Sequence, residues 1–241
     1  MILLHGVGYT YGGNNWLRTL EALGAHRRVI APDIMGWGTG DRLLQSYSFG
    51  YLVDFVREFQ DALSIDRADV VGHSMGGWVA SLLAYESPER VNRLVLVDSG
   101  GLASRQISEM TEFQPPTPQD VINDVQLRFP TEDVETQKAI ALEEQANIAA
   151  TDSLTSYRKL LGHMMNPETR VRYNTRRRLP LVRHRAKIIW GERDSVNPAA
   201  MAKEMVQLLP NAELTLLDCG HFPYSEVPDE FNETLNAFLA N

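Results

Sequence analysis

The chain has 241 residues, enough to build one large hydrophobic core with or without an insertion. Its 23 lysines and arginines against 31 aspartates and glutamates leave a net charge of −8, the wrong sign for binding nucleic acid or anionic lipid. The single cysteine, Cys219, excludes an intramolecular disulfide and suits a cytoplasmic location.

The first predicted strand is Ile2–Leu4, and the apolar stretch stops at His5 with no charged leader, so no signal peptide is expected. No apolar run approaches the roughly eighteen residues of a membrane span. A glycine-rich turn, His5-Gly6-Val7-Gly8, follows, and a second strand is predicted at 28–31. Tyr51, Leu52, Phe55, Val56, Phe59 and Leu63 share one helical face behind a Ser48 cap. Residues 68–71 read as a strand, 78–85 as a helix ended by Pro88, and 93–97 as another strand. Short β-branched runs alternating with helical stretches predict βαβ units and a parallel sheet.

From 101 to 180 the alternation stops. Thr117-Pro118-Gln119-Asp120 leads into a helix carrying Val121, Val125 and Leu127; 135–149 and Ser153–Met165 read as two more. This stretch is expected to be a helical cap over a core made of 1–100 and 181–241. Strands resume at 187–190 and 213–217. Between them Asn197-Pro198 reads as a cap opening a helix with Met201, Met205 and Leu208. A last helix opens at Pro228 and buries Phe231, Leu235, Phe238 and Leu239.

The chemistry centres on Gly72-His73-Ser74-Met75-Gly76, placed directly after a strand and before a helix. In that context a serine sits in a strained turn that pushes its hydroxyl outward, and a side chain at either flanking glycine would collide with neighbouring backbone. Such a serine needs a base and an orienting acid. His221, in the glycine-flanked loop Cys219-Gly220-His221-Phe222, is the expected base. Asp194, just after the strand at 187–190, is the expected acid, with Asp98 at the end of the preceding strand as its rival. The Met75 amide and the Val7 amide are the expected oxyanion donors. Gly6, Trp37, His73, Met164 and Phe222 are candidate pocket residues. His73 is also read as a support for the turn, and Cys219 as a small filler. Neither a metal nor an organic cofactor is expected.

Assembled, these residues resemble the α/β-hydrolase superfamily. The matching marks are His5-Gly6-Val7-Gly8, Pro32-Asp33-Ile34-Met35-Gly36-Trp37-Gly38, Gly72-His73-Ser74-Met75-Gly76-Gly77, Gly191-Glu192-Arg193-Asp194 and Gly220-His221. Within it the chain is most similar to the meta-cleavage product hydrolases, which split carbon–carbon bonds in ring-fission products, and to small esterases of the same build. That group usually has asparagine before the nucleophile and tryptophan after the histidine; here His73 and Phe222 stand there. The resemblance therefore implies ester hydrolysis of a small-molecule substrate. Carbon–carbon cleavage is the alternative, and a non-catalytic receptor a lesser one. The arginines from Arg170 to Arg185 read mostly as a solvated face, one of them available to an acidic substrate. The resemblance also implies two further strands before Ile2–Leu4. About six parallel strands are thus expected, with 28–31 near an open edge that a second subunit would cover or a longer natural chain would fill.

Overall fold

The computed structural model describes residues 1–42, 47–103 and 114–240. Five strands form one parallel sheet in sequential order: β1 (Ile2–Leu4), β2 (Ala68–His73), β3 (Val91–Val97), β4 (Arg185–Gly191) and β5 (Ala212–Leu217). The inner strands read as unbroken apolar runs because helices cover both of their faces. Val70, Val71, Leu94, Val95, Leu96, Val97, Ile188 and Ile189 are all completely buried. At the β5 edge most residues are half-buried.

The expected sixth strand at 28–31 is a single parallel bridge, Ile2 to Ile30. Ile30 takes both of its ladder bonds, donating to Met1 O at 3.0 Å and accepting from Leu3 N at 2.9 Å. The next donor in that register belongs to Pro32, which has no N–H, so the ladder ends there.

Among the helices, α1 (Leu17–Gly24) and α2 (Phe49–Ala62) lie between β1 and β2. The Ser48 hydroxyl caps α2 by accepting from Tyr51 N at 3.1 Å. The helix after β2, α3 (Met75–Glu86), is buried from Met75 through Ala84 and so shows no polar face. Four helices stand between β3 and β4 among the described residues: α4 (Pro118–Arg128), α5 (Val134–Ala150), α6 (Ser153–Met165) and α7 (Pro167–Tyr173). Thr117 and Asp120 form a reciprocal capping box at the start of α4. Buried Arg128 pairs with Glu144 at 2.6 Å, and Thr10 donates to the same carboxylate at 2.7 Å, fastening α4 and α5 to the loop after β1. Residues 104–113 of the expected cap lie outside the described residues.

The chain closes with α8 (Ala200–Leu208), α9 (Pro223–Glu226) and α10 (Pro228–Ala240). Among the described residues no helix is long and apolar enough to cross a membrane. The register that matters for function is at the carboxyl ends, where His73 pairs with Val97 and Val97 with Ile189. Residues 74, 98 and 191 onward therefore leave the sheet side by side, where open α/β sheets gather their ligands.

Candidate active site

Ser74 sits between β2 and α3 with φ 51° and ψ −114°, a backbone conformation a side chain rarely accepts. The turn is held by main-chain bonds: Ser74 N donates to Val97 O at 2.9 Å, and Ser74 O accepts from Gly100 N at 2.9 Å. A Cβ on Gly72 would strike Gly76 O, and one on Gly76 would strike Leu4 O, so the tight turn requires both glycines. From residue 70 to residue 84 Ser74 alone keeps partial exposure, all the others being buried, and it lines a cavity.

His221 follows β5 in a loop clamped by one carboxylate. Glu226 accepts from Gly220 N at 2.7 Å and from Phe222 N at 2.9 Å, pinning the residues on either side of the histidine. His221 Nδ1 meets Asp194 Oδ2 at 2.8 Å, and the Asp194 side chain is fully buried. Asp194 Oδ1 accepts two further bonds, from Val196 N at 2.7 Å and Asn197 N at 2.9 Å. Burial works against the charged Asp194 carboxylate. The hydrogen bond from His221, together with those from Asp98 and Asn197, outweighs it and holds the group below the usual carboxylate range.

Asp98, the rival acid, is close behind. It is completely buried at the end of β3 and its Oδ1 accepts from Gly191 N at 2.9 Å. Burial, followed by the hydrogen bond with Asp194 and that group's charge, pushes its carboxyl well above the usual range. Asp98, Asp194 and His221 offer ligand atoms within 4.8 Å of one another, the sole such His/Cys/Asp/Glu group among the described residues. Asp194 is the one bonded to the imidazole, while Asp98 Oδ1 is taken by Gly191 N.

The loop after β1 has its own brace. Ile34 N donates to His5 Nε2 at 3.0 Å, so that nitrogen carries no proton and Nδ1–H donates to Gly6 O at 2.7 Å. Fixing the Gly6 carbonyl toward His5 turns the Val7 N–H of the same trans peptide to the opposite side. Burial lowers the His5 pKa from 6.5 to about 4, keeping the ring neutral.

A cavity of about 180 Å³ brings Val7, Ser74, Met75 and His221 together under Met164 and Phe222. Among the described residues its lining is mostly apolar, with one charged exception, Arg170 of α7. The Arg170 residue is 3 % exposed. Among the described residues its polar contacts are Ala103 O at 3.4 Å and Met165 Sδ at 3.5 Å, and its Nε has no partner there. Among the described residues no carboxylate pairs with it, and burial pulls its pKa down.

A family model described as the alpha/beta hydrolase fold matches residues 1–228. The chain belongs to the α/β-hydrolase family. A protein of Paraburkholderia phymatum named 2-hydroxy-6-oxononadienedioate/2-hydroxy-6-oxononatrienedioate hydrolase is 31 % identical over 252 residues, covering 99 % of this chain and 86 % of that one. A dihydrolipoyllysine-residue acetyltransferase component of an acetoin cleaving system from Pseudomonas putida is 29 % identical over 241 residues, and there the match spans 63 % of the relative's length. The solved meta-cleavage product hydrolase from Pseudomonas fluorescens superimposes with a TM-score of 0.82 at 26 % identity, covering all of this chain and 90 % of that one.

In this α/β hydrolase three of the residues read as pocket candidates lie behind the cavity and not in its lining. Trp37 is 1 % exposed and its Nε1 donates to Gly8 O at 2.8 Å, so it braces the loop after β1. Gly6 faces His73 and Ser74 across the turn. His73 is completely buried, with Nε2 donating to His221 O at 2.8 Å and Nδ1 receiving the Tyr224 hydroxyl at 3.3 Å. Burial and the neighbouring His221 depress its pKa well below the usual value. Asn197 does not cap α8, which starts at Ala200; its amide donates to Asp98 O at 2.8 Å. Arg170 could be named in advance only as one of seven arginines, since nothing in an arginine-rich stretch marks which one is buried. Cys219 is completely buried, and burial pushes its thiol pKa up, as a filler's would be.

Proposed function

We propose that this chain is a serine hydrolase that cleaves small carboxylic esters through an acyl-enzyme. Ser74 is the nucleophile, His221 the base and Asp194 its orienting acid. The observation that carries the reading is the 2.8 Å contact between His221 Nδ1 and Asp194 Oδ2, made by a histidine that shares its cavity with Ser74 on the strained turn.

The Ser74 Oγ attacks the ester carbonyl carbon while its proton passes to His221 Nε2, and the imidazolium that forms is stabilised by Asp194. The carbonyl oxygen gains the negative charge and is held by the Val7 and Met75 amides, the first aimed by His5 and the second at the start of α3. Collapse expels the alcohol, which takes the proton from His221. Water, deprotonated by His221, then attacks the acyl-Ser74 carbonyl and releases the acid. The helical stretch 101–180 acts as a cap, contributing Met164 and Arg170 to the substrate side of the cavity. No step calls for a cofactor.

A second reading rests on Arg170. A buried guanidinium with no carboxylate beside it among the described residues, lining a mostly apolar cavity, suits a substrate that carries its own carboxylate. The names of two hydrolase relatives describe such acids, 2-hydroxy-6-oxo dienedioates and a 2-hydroxy-6-oxo-6-phenyl dienoate, and carbon–carbon cleavage of an acid of that kind is the second reading. The same serine, histidine and aspartate would serve that reaction. The test is a substrate panel: p-nitrophenyl esters of graded acyl length and one ring-fission acid, with wild type and Ser74→Ala. Ser74-dependent turnover of neutral esters supports the first reading, and turnover confined to the ring-fission acid supports the second. Turnover that persists in Ser74→Ala removes both.

A further inference from the structure

We infer that Asp98 is a positioning residue for the proposed acid: its carboxyl is protonated and donates a hydrogen bond to the Asp194 carboxylate, fixing the orientation in which Asp194 meets His221. The inference rests on the Ser74–His221–Asp194 reading above and adds a fourth group to it.

Two carboxyl groups are buried here with no cation beside them. Among the described residues neither forms an ion pair with a lysine or arginine; the only basic group bonded to the pair is the His221 imidazole. The other titratable groups facing Asp98 are Cys219 from the loop after β5 and Tyr224 and Glu226 of α9, none of which brings positive charge. Two negative charges at this separation in a buried site cannot both persist, so one carboxyl keeps its proton.

The hydrogen bonds decide which. Asp194 already accepts three, from His221 Nδ1, Val196 N and Asn197 N. Asp98 accepts one, from Gly191 N. Three donors favour the ionised form far more than one does, so the proton stays on Asp98. Its Oδ2 is buried and receives no donor among the described residues, as expected of an oxygen that carries the hydrogen itself. The carboxyl aims at Asp194 because its backbone is pinned. Asp98 has φ 41°, its N donates to Ile189 O at 3.2 Å and its O accepts from Asn197 Nδ2 at 2.8 Å. The pair therefore carries one negative charge, shared outward to the imidazole, and that charge cannot rotate away from it.

Infrared difference spectra of wild type against Asp98→Asn at pH 7 test the proton directly, independent of any substrate. A protonated-carboxyl carbonyl band should be present in wild type and lost in D98N; no such band overturns the inference even if Ser74 proves to be the nucleophile. Failure of Ser74-dependent turnover would sink the catalytic reading while leaving the band to report on Asp98. Kinetics then test the positioning. Asp98→Ala removes the donor and should lower kcat about tenfold with little change in KM. It should also move the acid limb of kcat/KM to higher pH, because a freer Asp194 stabilises the imidazolium more. Asp98→Asn, whose amide donates to Asp194 and whose oxygen accepts from Gly191, should restore most of what D98A loses. D98N as impaired as Asp194→Asn, or D98A with the wild-type pH profile, overturns it.

Discussion

His73 Nε2 donates to the carbonyl of His221 across 2.8 Å, so the residue that precedes the proposed nucleophile holds the loop of the proposed base. The two elements come from β2 and from the loop after β5, far apart in sequence, and this is a direct polar tie between them. Replacing His73 by phenylalanine keeps a ring and removes the donor. The expected result is a fall in kcat of about tenfold with KM nearly unchanged, read from steady-state kinetics on the best ester.

Glu226 performs the matching task on the other side of His221, accepting from Gly220 N and Phe222 N. Glu226→Ala strands both amides and should destabilise the fold by about 1–3 kcal/mol in urea denaturation. Glu226→Gln, with only one oxygen acceptor, should fall between alanine and wild type.

The neutral His5 ring makes stability depend on pH. Its pKa in the fold is about 4 against 6.5 when unfolded, so the unfolded chain binds the extra proton first as pH falls. The contribution is fully present above pH 6.5 and is lost as pH drops toward 4. The shift corresponds to about 3 kcal/mol, an order-of-magnitude figure. Denaturant midpoints measured across that range should fall with acid, and His5→Asn should flatten the slope.

The second proposed reading assigns the charge preference of the cavity to Arg170, which is buried in its lining. Arg170→Met should raise KM for carboxylate-bearing substrates by about ten- to a hundredfold, the worth of a charged hydrogen bond. Neutral esters of the same length should keep their KM or bind slightly better, because the buried charge is gone. Paired KM values for a neutral and an anionic substrate check this.

Much of the site was legible in order and spacing. Glycines flanking Ser74 signal a turn that only their missing Cβ atoms permit, and α6 starts and stops where Ser153 and Met165 placed it. Apolar runs located the inner strands to within two residues at most ends, because burial on both faces leaves no other pattern. What stayed hidden depends on contacts between distant segments. The strand at 28–31 failed because its third ladder donor falls on Pro32, a register effect invisible in the run itself. The helix α7 lay inside an arginine-rich stretch whose charge suggested a solvated face, yet Arg170 points inward. Asp98 looked like a competitor of Asp194, and only the pairing of Val97 with Ile189 shows that the two belong to one group.

Nearly every atom assigned to bond-breaking hangs from the carboxyl ends of strands or the loops just beyond them, whereas among the described residues the helices between β3 and β4 supply only walls and one charge. The proposed function thus houses reactivity and selectivity in separable parts of the chain. Exchanging α6 and α7 for those of a relative would retarget the enzyme while sparing its proton relay, which makes that segment the natural place for libraries that seek new substrates.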